Sequence, residues 1–354
     1  MNYKDNPYEY ICDWAESIFK HTGKRVFKYM SLMPVSLIIP DILYKGRQIR
    51  SNIHVLLLAP SGTAKTSLGT ILSNFSLNPI PFENITTAKI SQNLMRRQDS
   101  YVTLISTDIS KIVRDLELVK LLEQVLGEER RVMRDNMQSS FNFTIQSTAY
   151  LSGVPSDLLG VLTSGLLFRT SPIILFHTED EHSDIGKHIT EGIGQEAKND
   201  GKEGIIKDFY NSLAYRQSAD NPDRIEGYIY SEEIKNKIFQ KWNEMTHDIV
   251  KKYQVVEWIR ELYSCYRYMN AYSFMNITSR EVKKIDGKNM LVITNEDLKL
   301  ALNLMEEDID TKVHLLKCKA IANKIRNMKE LQEVMESKKA SDRDKQIIKN
   351  LVKS

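Results

Sequence analysis

The pattern of apolar and polar positions divides the chain into an α/β part and a helical part. Short, unbroken apolar runs recur in the first half, and such runs are typical of strands buried on both faces of a parallel sheet. Segments with helical spacing lie between them. The runs are residues 53–59, 101–106, 144–151 and 172–177, and the helical segments are residues 65–75, 109–127 and 156–167. Strands that alternate with helices predict a three-layer α/β domain with a parallel sheet.

The pattern changes after residue 177. Residues 178–223 are rich in Gly, Asp, Lys and Asn, and helical spacing dominates the chain beyond them. Ser231, followed by two glutamates, is a good N-cap for a helix that extends to about residue 256. A second helix is predicted over residues 257–272. The second part of the chain is therefore expected to be all-helical.

A third helix is predicted to begin at Thr294, whose spacing to Asp297 indicates an approximate capping box. A hairpin around Asp286 and Gly287 precedes it. Helical spacing continues beyond residue 310 in an apolar stripe, which consists of Ile321, Ile325, Met328, Leu331 and Met335. The chain is thus divided into a helical segment, an α/β domain, a helical domain and a helical tail. Their predicted bounds are residues 1–50, 51–205, 206–310 and 311–354.

The composition is that of a globular protein. The chain is 42% hydrophobic and 27% charged, which excludes a disordered or fibrous protein. Cys12, Cys265 and Cys318 have no paired spacing typical of disulfides or zinc sites, so we expect a reducing cytoplasm. The N-terminus lacks the pattern of a secretion signal. The most apolar stretch, residues 30–44, contains two prolines and is shorter than the roughly 20 residues of a membrane span, so no membrane partner is expected.

The charge is distributed unevenly along the chain. The net charge is +3, but residues 311–354 contain 12 Lys or Arg against 5 Asp or Glu, a net +7. Such a basic tail contacts an anionic partner such as DNA, or it is a docked helix whose lysines face water. The sequence leaves both alternatives open.

The strongest chemical signal lies between the first apolar run and the helix that follows. A phosphate-binding loop needs inward-facing backbone N–H groups, a lysine for the β and γ oxygens, and an adjacent hydroxyl for Mg²⁺. Lys65 and Thr66 supply the last two, although alanines, Ala59 and Ala64, replace both usual glycines. We predict that ATP binds to Ala59, Pro60, Ser61, Gly62, Thr63, Ala64, Lys65, Thr66 and Ser67. The alternative is a strand-to-helix turn without a ligand.

The residues around this loop resemble the minichromosome maintenance (MCM) replicative helicases, a family of AAA+ ATPases. The most specific likeness is in residues 47–66, RQIRSNIHVLLLAPSGTAKT, and this family also tolerates alanine before the loop lysine. Residues 122–133, LEQVLGEERRVM, resemble the helix and the start of the pre-sensor hairpin. LLFR at 166–169, the following strand and EDEHSDIGKHI at 179–189 resemble the arginine-finger segment and the acidic helix start after it. Weaker likeness in spacing continues through residues 258–262 and the third helix.

The resemblance covers about residues 29–310 and implies a P-loop AAA+ domain, a helical lid and a basic tail. It also implies a hexameric ring of identical chains, with ATP and Mg²⁺ between subunits and DNA as a partner. Thr66 and Asp108 would hold the metal, and Lys65, Asp108 and Arg169 would be catalytic. Arg169 would be the arginine finger that completes a neighbour's site. The alternative for Arg169 is a helix-capping role.

Several departures from the family pattern bear on hydrolysis. The strand end at residues 105–109 reads ISTDI and has one carboxylate. In the first alignment with the family, Asp108 holds the Mg²⁺-bound water. In the second, Asp108 lies one place later, where the family has its catalytic carboxylate, and Thr107 is at the metal position. Val154 stands where the family has asparagine, and no arginine near Tyr253 supplies the lid sensor. Loss of a water-positioning group costs a factor on the order of a hundred.

Two functions therefore stay open. The first is a ring-forming ATPase motor or loader that acts on DNA, which the hairpin helix and the basic tail favour. The second is a nucleotide-gated scaffold or protein-remodelling factor with weak or no hydrolysis, which the missing carboxylate and sensors favour. The roughly 50 residues before the P-loop strand are too few for the family's N-terminal nucleic-acid-binding module. A nucleotide kinase is a poor third, since no lid-type arginine cluster follows the loop.

Two other clusters also allow alternatives. Histidines interleaved with acidic residues form a metal site or, more simply, a hydrated acidic loop. Arginines followed by phenylalanines form a hairpin that contacts nucleic acid, or an exposed hairpin whose phenylalanines pack on the core. The members are His177, His182 and His188 in the first cluster, and Arg130, Arg131, Arg134, Phe141 and Phe143 in the second.

Overall fold

Three helices and a small hairpin precede the P-loop strand. The structure is a computed structural model that describes residues 6–82, 86–128, 131–136, 139–176, 179–192, 201–253, 258–323, 325, 328–337 and 340–353. The first elements are α1 (Pro7–Phe19), α2 (His21–Met30), α3 (Met33–Ile38), β1 (Ile42–Tyr44) and β2 (Arg47–Ile49). Helices α1 and α2 cross at Gly23, where a Cβ would lie 2.1 Å from the carbonyl oxygen of Ala15. A larger residue at this position would push the two helices apart.

The next part of the chain alternates strands and helices. Its elements are β3 (His54–Leu58), α4 (Lys65–Phe75), β4 (Pro79–Pro81), α5 (Thr87–Met95), β5 (Tyr101–Ser106), α6 (Leu116–Val125), β6 (Arg131–Asn136), β7 (Ser139–Thr144), β8 (Gln146–Gly153), α7 (Leu158–Thr163), β9 (Ser171–Ile174), α8 (Glu179–Gly192) and α9 (Lys202–Arg216). Five strands form a parallel sheet in the order β4-β5-β8-β3-β9. The predicted α/β class with a parallel sheet is confirmed.

Helices dominate the rest of the chain. The elements are β10 (Gly227–Ile229), α10 (Glu232–Tyr253), α11 (Ile259–Met275), β11 (Val282–Ile285), β12 (Lys288–Val292), α12 (Asn295–Ala322), α13 (Met328–Glu336) and α14 (Asp342–Lys353). The predicted hairpin is β11–β12, and its turn residues Asp286 and Gly287 both have positive φ, as a type I′ turn requires. Strand β10 adds to this hairpin in parallel, so the prediction that this part of the chain is all-helical is wrong. The apolar run of β10 is too short to indicate a strand in the sequence. Among the described residues, no helix is long and apolar enough to span a lipid bilayer.

The five-stranded sheet separates two apolar cores, so the α/β part has three layers. Every residue of β3 is buried, and its side chains alternate between the two faces. Val55 and Leu57 belong to one core, together with residues of α1 to α4 and α9 to α12. Leu56 and Leu58 belong to the other, with residues of α5, α6, α7 and α14. Burial on both faces explains why the strand sequence is an unbroken apolar run.

Both predicted N-caps in the helical part are confirmed. The backbone N–H of Ile234 donates to Ser231 Oγ at 3.2 Å. The backbone N–H of Asp297 donates to Thr294 Oγ1 at 3.4 Å, and the N–H of Thr294 donates to Asp297 Oδ2 at 2.9 Å. This reciprocal pair is a capping box, which satisfies two backbone donors at the start of α12.

Two helices run across the predicted unit boundaries. The boundary between residues 205 and 206 falls inside α9, which packs against α3 and α4. The boundary between residues 310 and 311 falls inside α12, a single helix of 28 residues. The tail therefore begins as a continuation of α12, and α14 then packs back against α12 and α7.

Candidate functional site

The predicted P-loop, residues 59–67, lies at the carboxyl end of β3, an interior strand next to the edge strand β9. The neighbours of β3 are β8 on one side and β9 on the other, whereas the next strand along the chain, β4, lies at the far edge. In open parallel sheets, ligands bind in the crevice outside the carboxyl ends of strands whose connections leave in opposite directions. The loop that follows β3 occupies such a position.

The loop backbone bends sharply at two positions. Gly62 has φ +85° and Ala64 has φ +60°, both in the left-handed region. Glycine adopts this conformation freely, but an alanine there costs roughly 1–2 kcal/mol. Thr63 Oγ1 donates to the carbonyl oxygen of Pro60 at 2.7 Å, which closes the bend. Strain of this kind at Ala64 is typical of functional sites.

Lys65, the first residue of α4, folds back over this loop. Its Nζ donates to the carbonyl oxygens of Ala59 and Pro60, both at 2.7 Å. Burial lowers the pKa of Lys65, while the negative charges of Asp108 and Asp157 oppose that shift. One ammonium group and two carboxylates therefore face the same end of the sheet. Thr66 and Ser67 follow in the first turn of α4 and are exposed.

Asp108 lies two residues beyond the end of β5. Hydrogen bonds from the side chain and backbone N–H of Ser110 lower the pKa of Asp108, and the charges of Lys111 and Lys65 add to this effect. Thr107 faces α4 instead, because a Cβ at Gly69 of that helix would lie 3.0 Å from Thr107 Cγ2. These contacts favour the register in which Thr107 occupies the metal position and Asp108 the place after it.

Asp157 is a second carboxylate at this edge, and sequence reasoning missed it. It lies four residues past β8 and is 5% exposed. Burial raises the pKa of Asp157, against the hydrogen bond that Val154 N–H donates to its Oδ2 at 3.0 Å. Gly153 makes room for it, since a Cβ there would lie 2.7 Å from Asp157 Oδ2. The sequence signal that could have identified Asp157 is an acidic residue at the start of a helix directly after a buried strand.

A cleft of about 480 Å³ opens beside the loop. One wall is the P-loop, and the opposite wall comes from the junction of α1 and α2, from α8 and from α14. The lining residues outside the loop are Ile18, Phe19, Lys20, Thr22, Phe176, Ile185, Gly186, His188 and Gln346. The volume lies in the range of small-molecule pockets, and the mixture of apolar side chains with loop amides is typical of them. The sequence did not predict that the N-terminal helices form this wall.

Arg169 lies at the opposite edge of the sheet. It precedes β9, so it is near the amino ends of the parallel strands, whereas the P-loop is at the carboxyl ends. Its Nη1 donates to the carbonyl oxygen of Gly165 at 2.9 Å, and its charge contributes to the lowered pKa of buried His54. Gly165 lies two residues beyond the end of α7, so this contact does not decide the helix-capping alternative. Arg169 and the P-loop of the same chain are not brought together.

The acidic segment in α8 pairs with α2. Arg25 Nη2 lies 2.6 Å from Glu181 Oε1, and His21 Nε2 lies 3.6 Å from Asp184 Oδ2. In the described part of the chain, residues of this segment belong to no candidate metal cluster. His177 and the side chain of His182 are outside the described residues. His188 lines the cleft instead.

The hairpin after α6 is present as β6 and β7, which pair antiparallel. Phe143 is buried in the second core, as the packing alternative predicts for it. The rest of this cluster cannot be placed, because Arg130 and the side chains of Arg131, Arg134 and Phe141 are outside the described residues. The side chain of Tyr253 and all of Gln254, where the lid sensor was sought, are outside them too.

The tail docks in part through the predicted stripe. Leu331 is buried in the second core, and Ile325 and Met335 pack against it, whereas Ile321 is 40% exposed. The side chain of Met328 is outside the described residues. Helix α14, which the stripe did not include, adds Ile347, Ile348 and Leu351 to the same core. The docking alternative is therefore correct for α14, because its apolar face covers α12 and α7 and is buried there.

The chain was compared with protein families and with curated proteins. No protein-family model matches the chain, and no curated protein matches it. The site must therefore be interpreted from its own residues.

Proposed function

We propose that the chain is an MCM-like AAA+ ATPase that binds ATP and Mg²⁺ at the carboxyl edge of the sheet. The observation that supports this most is the convergence of Lys65, Asp108 and Asp157 around a strained loop beside a cleft of about 480 Å³. A strand, a loop, a lysine and a helix follow one another in the order that phosphate binding requires.

In this proposal, the loop amides and Lys65 hold the β- and γ-phosphates. The phosphate oxygens replace the carbonyl oxygens of Ala59 and Pro60 as partners of the ammonium, which exchanges neutral acceptors for charged ones. The hydroxyl of Thr66 would supply a ligand for Mg²⁺, and Thr107 occupies the position whose side chain would hold a metal-bound water. The apolar side chains of Ile18, Phe19 and Phe176 cover the nucleotide base.

Hydrolysis needs a group that orients the attacking water. Hydrogen bonds from Ser110 lower the pKa of Asp108 from an already acidic range, so Asp108 is a carboxylate that can accept a hydrogen bond from the attacking water and orient it. Asp157 keeps a higher pKa in a buried site and one of its oxygens is bound to Val154, so it acts on Lys65 and Asp108 through its charge. The pair gives the site a second carboxylate that the strand end itself lacks.

Assembly into a hexameric ring would place Arg169 against a neighbour's nucleotide. This proposal rests on the separation of Arg169 from the P-loop of its own chain, at opposite edges of the sheet. Mixing Arg169→Ala chains with Lys65→Ala chains tests it, because a mixed interface can combine an intact loop with an intact arginine. Partial recovery of ATP turnover in the mixture supports the ring, whereas turnover by a purified monomer would contradict it.

An ATPase assay with and without single-stranded DNA separates the two candidate functions. A motor on DNA hydrolyses ATP faster when DNA is present, and Asp108→Asn abolishes the stimulated rate. A nucleotide-gated scaffold binds ATP with little turnover, and DNA leaves that rate unchanged. The basic tail and the β6–β7 hairpin favour the first outcome, so DNA is the partner that we propose.

A further inference from the structure

A cluster of three potential metal ligands lies between α12 and α14, the first and the last helix of the basic tail. His314 and Cys318 lie four residues apart on α12, so they share one face of the helix. Asp344 lies in the first turn of α14. One ligand atom from each of the three residues lies within 4.8 Å of the other two. Among the described residues, this is the cluster of His, Cys and carboxylate side chains with metal-like spacing.

The interatomic distances suit a tetrahedral ion. His314 Nε2 lies 2.8 Å from Asp344 Oδ1, and Cys318 Sγ lies 3.7 Å from the same oxygen. With metal–ligand bonds of about 2.0–2.3 Å, tetrahedral ligand atoms are roughly 3.4–3.6 Å apart. The cluster therefore reaches this geometry if His314 and Asp344 separate by about 0.6 Å.

The two oxygens of Asp344 have separate partners. The backbone N–H of Ser341 donates to Oδ2 at 3.0 Å and the Ser341 hydroxyl donates to Oδ2 at 2.8 Å, which caps α14. Oδ1 is thereby turned toward α12. The apolar residues Ile347, Ile348 and Leu351 lie on the same face of α14 and are buried, so packing fixes this orientation.

Burial and access are also appropriate for an ion. Cys318 is 1% exposed, whereas the side chains of His314 and Asp344 are 29% and 24% exposed. The thiol is shielded, and the other two ligands are partly exposed to solvent, from which an ion and a water molecule can enter. Thiolate with imidazole and one carboxylate is a ligand set that suits Zn²⁺ better than Mg²⁺ or Ca²⁺.

We propose that His314 Nε2, Cys318 Sγ and Asp344 Oδ1 bind one Zn²⁺ ion, with water as the fourth ligand, and that this ion fixes α14 to α12. The sequence does not indicate this cluster, because paired cysteines are the usual sign of a zinc site. Here the pair is a histidine and a cysteine one helical turn apart. Gln346 follows Asp344 by two residues and lines the cleft, so the ion would hold one wall of the cleft in place. The proposal does not depend on nucleotide binding.

Cobalt titration of the metal-free, full-length protein tests the site, because Co²⁺ bound to thiolate gives a charge-transfer band in the near ultraviolet. We expect the band to saturate at one equivalent, to disappear when Zn²⁺ displaces Co²⁺, and to be absent in Cys318→Ala. His314→Ala and Asp344→Asn are expected to weaken Zn²⁺ binding at least about tenfold. Asp344→Asn keeps an oxygen for the Ser341 cap, so it is the variant least expected to disturb folding.

Cys265→Ala is the matched control, because Cys265 is a free, buried cysteine on another helix. It should keep the band. Zn²⁺ should also raise the melting temperature of the parent and of Cys265→Ala, but not that of Cys318→Ala. A parent without the band at saturating Co²⁺, or a Cys318→Ala variant that binds Zn²⁺ as tightly as the parent, would overturn the proposal.

Discussion

The two edges of the parallel sheet use charged residues in opposite ways. At the carboxyl edge, the loop that precedes Lys65 lines a cleft, and the Lys65 ammonium donates to two carbonyl oxygens of this loop. At the amino edge, Arg267 is 7% exposed, and it donates from Nε to the carbonyl oxygen of Arg50 at 2.8 Å and from Nη2 to Glu128. Charges at the first edge are available to a ligand, whereas those at the second fasten α11 to the sheet.

A second buried network strengthens the amino edge. The hydroxyl of Tyr268 on α11 donates to Asp308 on α12 and lies in hydrogen-bonding contact with Ser171 at the start of β9. Nearby, Lys312 Nζ donates to Glu261 Oε1 at 2.6 Å, and both side chains are fully buried. The difference between the edges shows that charge alone does not identify a site. The carboxyl edge differs because a cleft opens beside it and its charged side chains have fewer protein partners than those of the amino edge.

The comparison predicts its largest effect on stability at Arg267. Arg267→Ala leaves Glu128 without its cation and Arg50 O without a donor, so we expect a loss of about 3 kcal/mol in the free energy of unfolding. Denaturant unfolding measures it. Arg25→Ala, which removes the exposed pair with Glu181, should cost less than about 1 kcal/mol. Equal losses in the two variants would mean that the buried contacts of Arg267 stabilise the fold no more than an exposed ion pair does.

At the open edge, the expected effect falls on activity. Asp108→Asn removes the charge that orients water and should lower ATP turnover on the order of a hundredfold, with a change in stability below about 0.5 kcal/mol. Steady-state turnover and denaturant unfolding report the two quantities. Asp13→Asn, an exposed carboxylate paired with Lys24, is the control and should change neither. A large stability loss in Asp108→Asn would assign Asp108 to structure.

The buried network at the amino edge should respond to pH. Burial raises the pKa of Asp308 to about 7, with a further contribution from Glu261, so the folded state keeps its proton to higher pH than the unfolded state. The resulting stability is complete below pH 4 and is lost as pH rises toward 7. Asp308→Asn should remove this pH-dependent loss of stability.

Unfolding of the parent and of Asp308→Asn at several pH values between 4 and 8 checks this difference. Exposed Asp220 serves as the control position, and Asp220→Asn should follow the parent. Parallel curves for the parent and Asp308→Asn would show that Asp308 titrates alike in the folded and unfolded states.

The smallest expected effect concerns loop strain at the open edge. Ala64→Gly relieves the strain of the left-handed backbone at this position. It also raises the conformational entropy of the unfolded chain, so we expect a net gain in stability between 0 and about 1 kcal/mol. Ala88→Gly, in the first turn of α5, should instead lose stability, by up to about 1 kcal/mol. A loss of the same size at Ala64 would mean that the loop is not strained there.

The sheet could be predicted from the sequence better than the site. The run at residues 101–106 coincides with β5, and α4 begins and ends where the spacing placed it, because burial on both faces and helical spacing are local signals. Asp157 and Gln346 were missed because only the packing of the chain brings Asp157 near Lys65 and Gln346 to the cleft. The same holds for Arg267, which looks like any exposed helical arginine in the sequence but is buried by contacts with Arg50 and Glu128.

The most direct test of the proposed nucleotide site is the affinity of a fluorescent ATP analogue for the parent and for Lys65→Ala. With Mg²⁺ present, the parent should bind and the variant should lose affinity on the order of a hundredfold, because a cation is removed from phosphate oxygens. Lys283→Ala, an exposed lysine on β11, should bind like the parent. Equal affinity in the parent and Lys65→Ala would contradict the assignment of the loop.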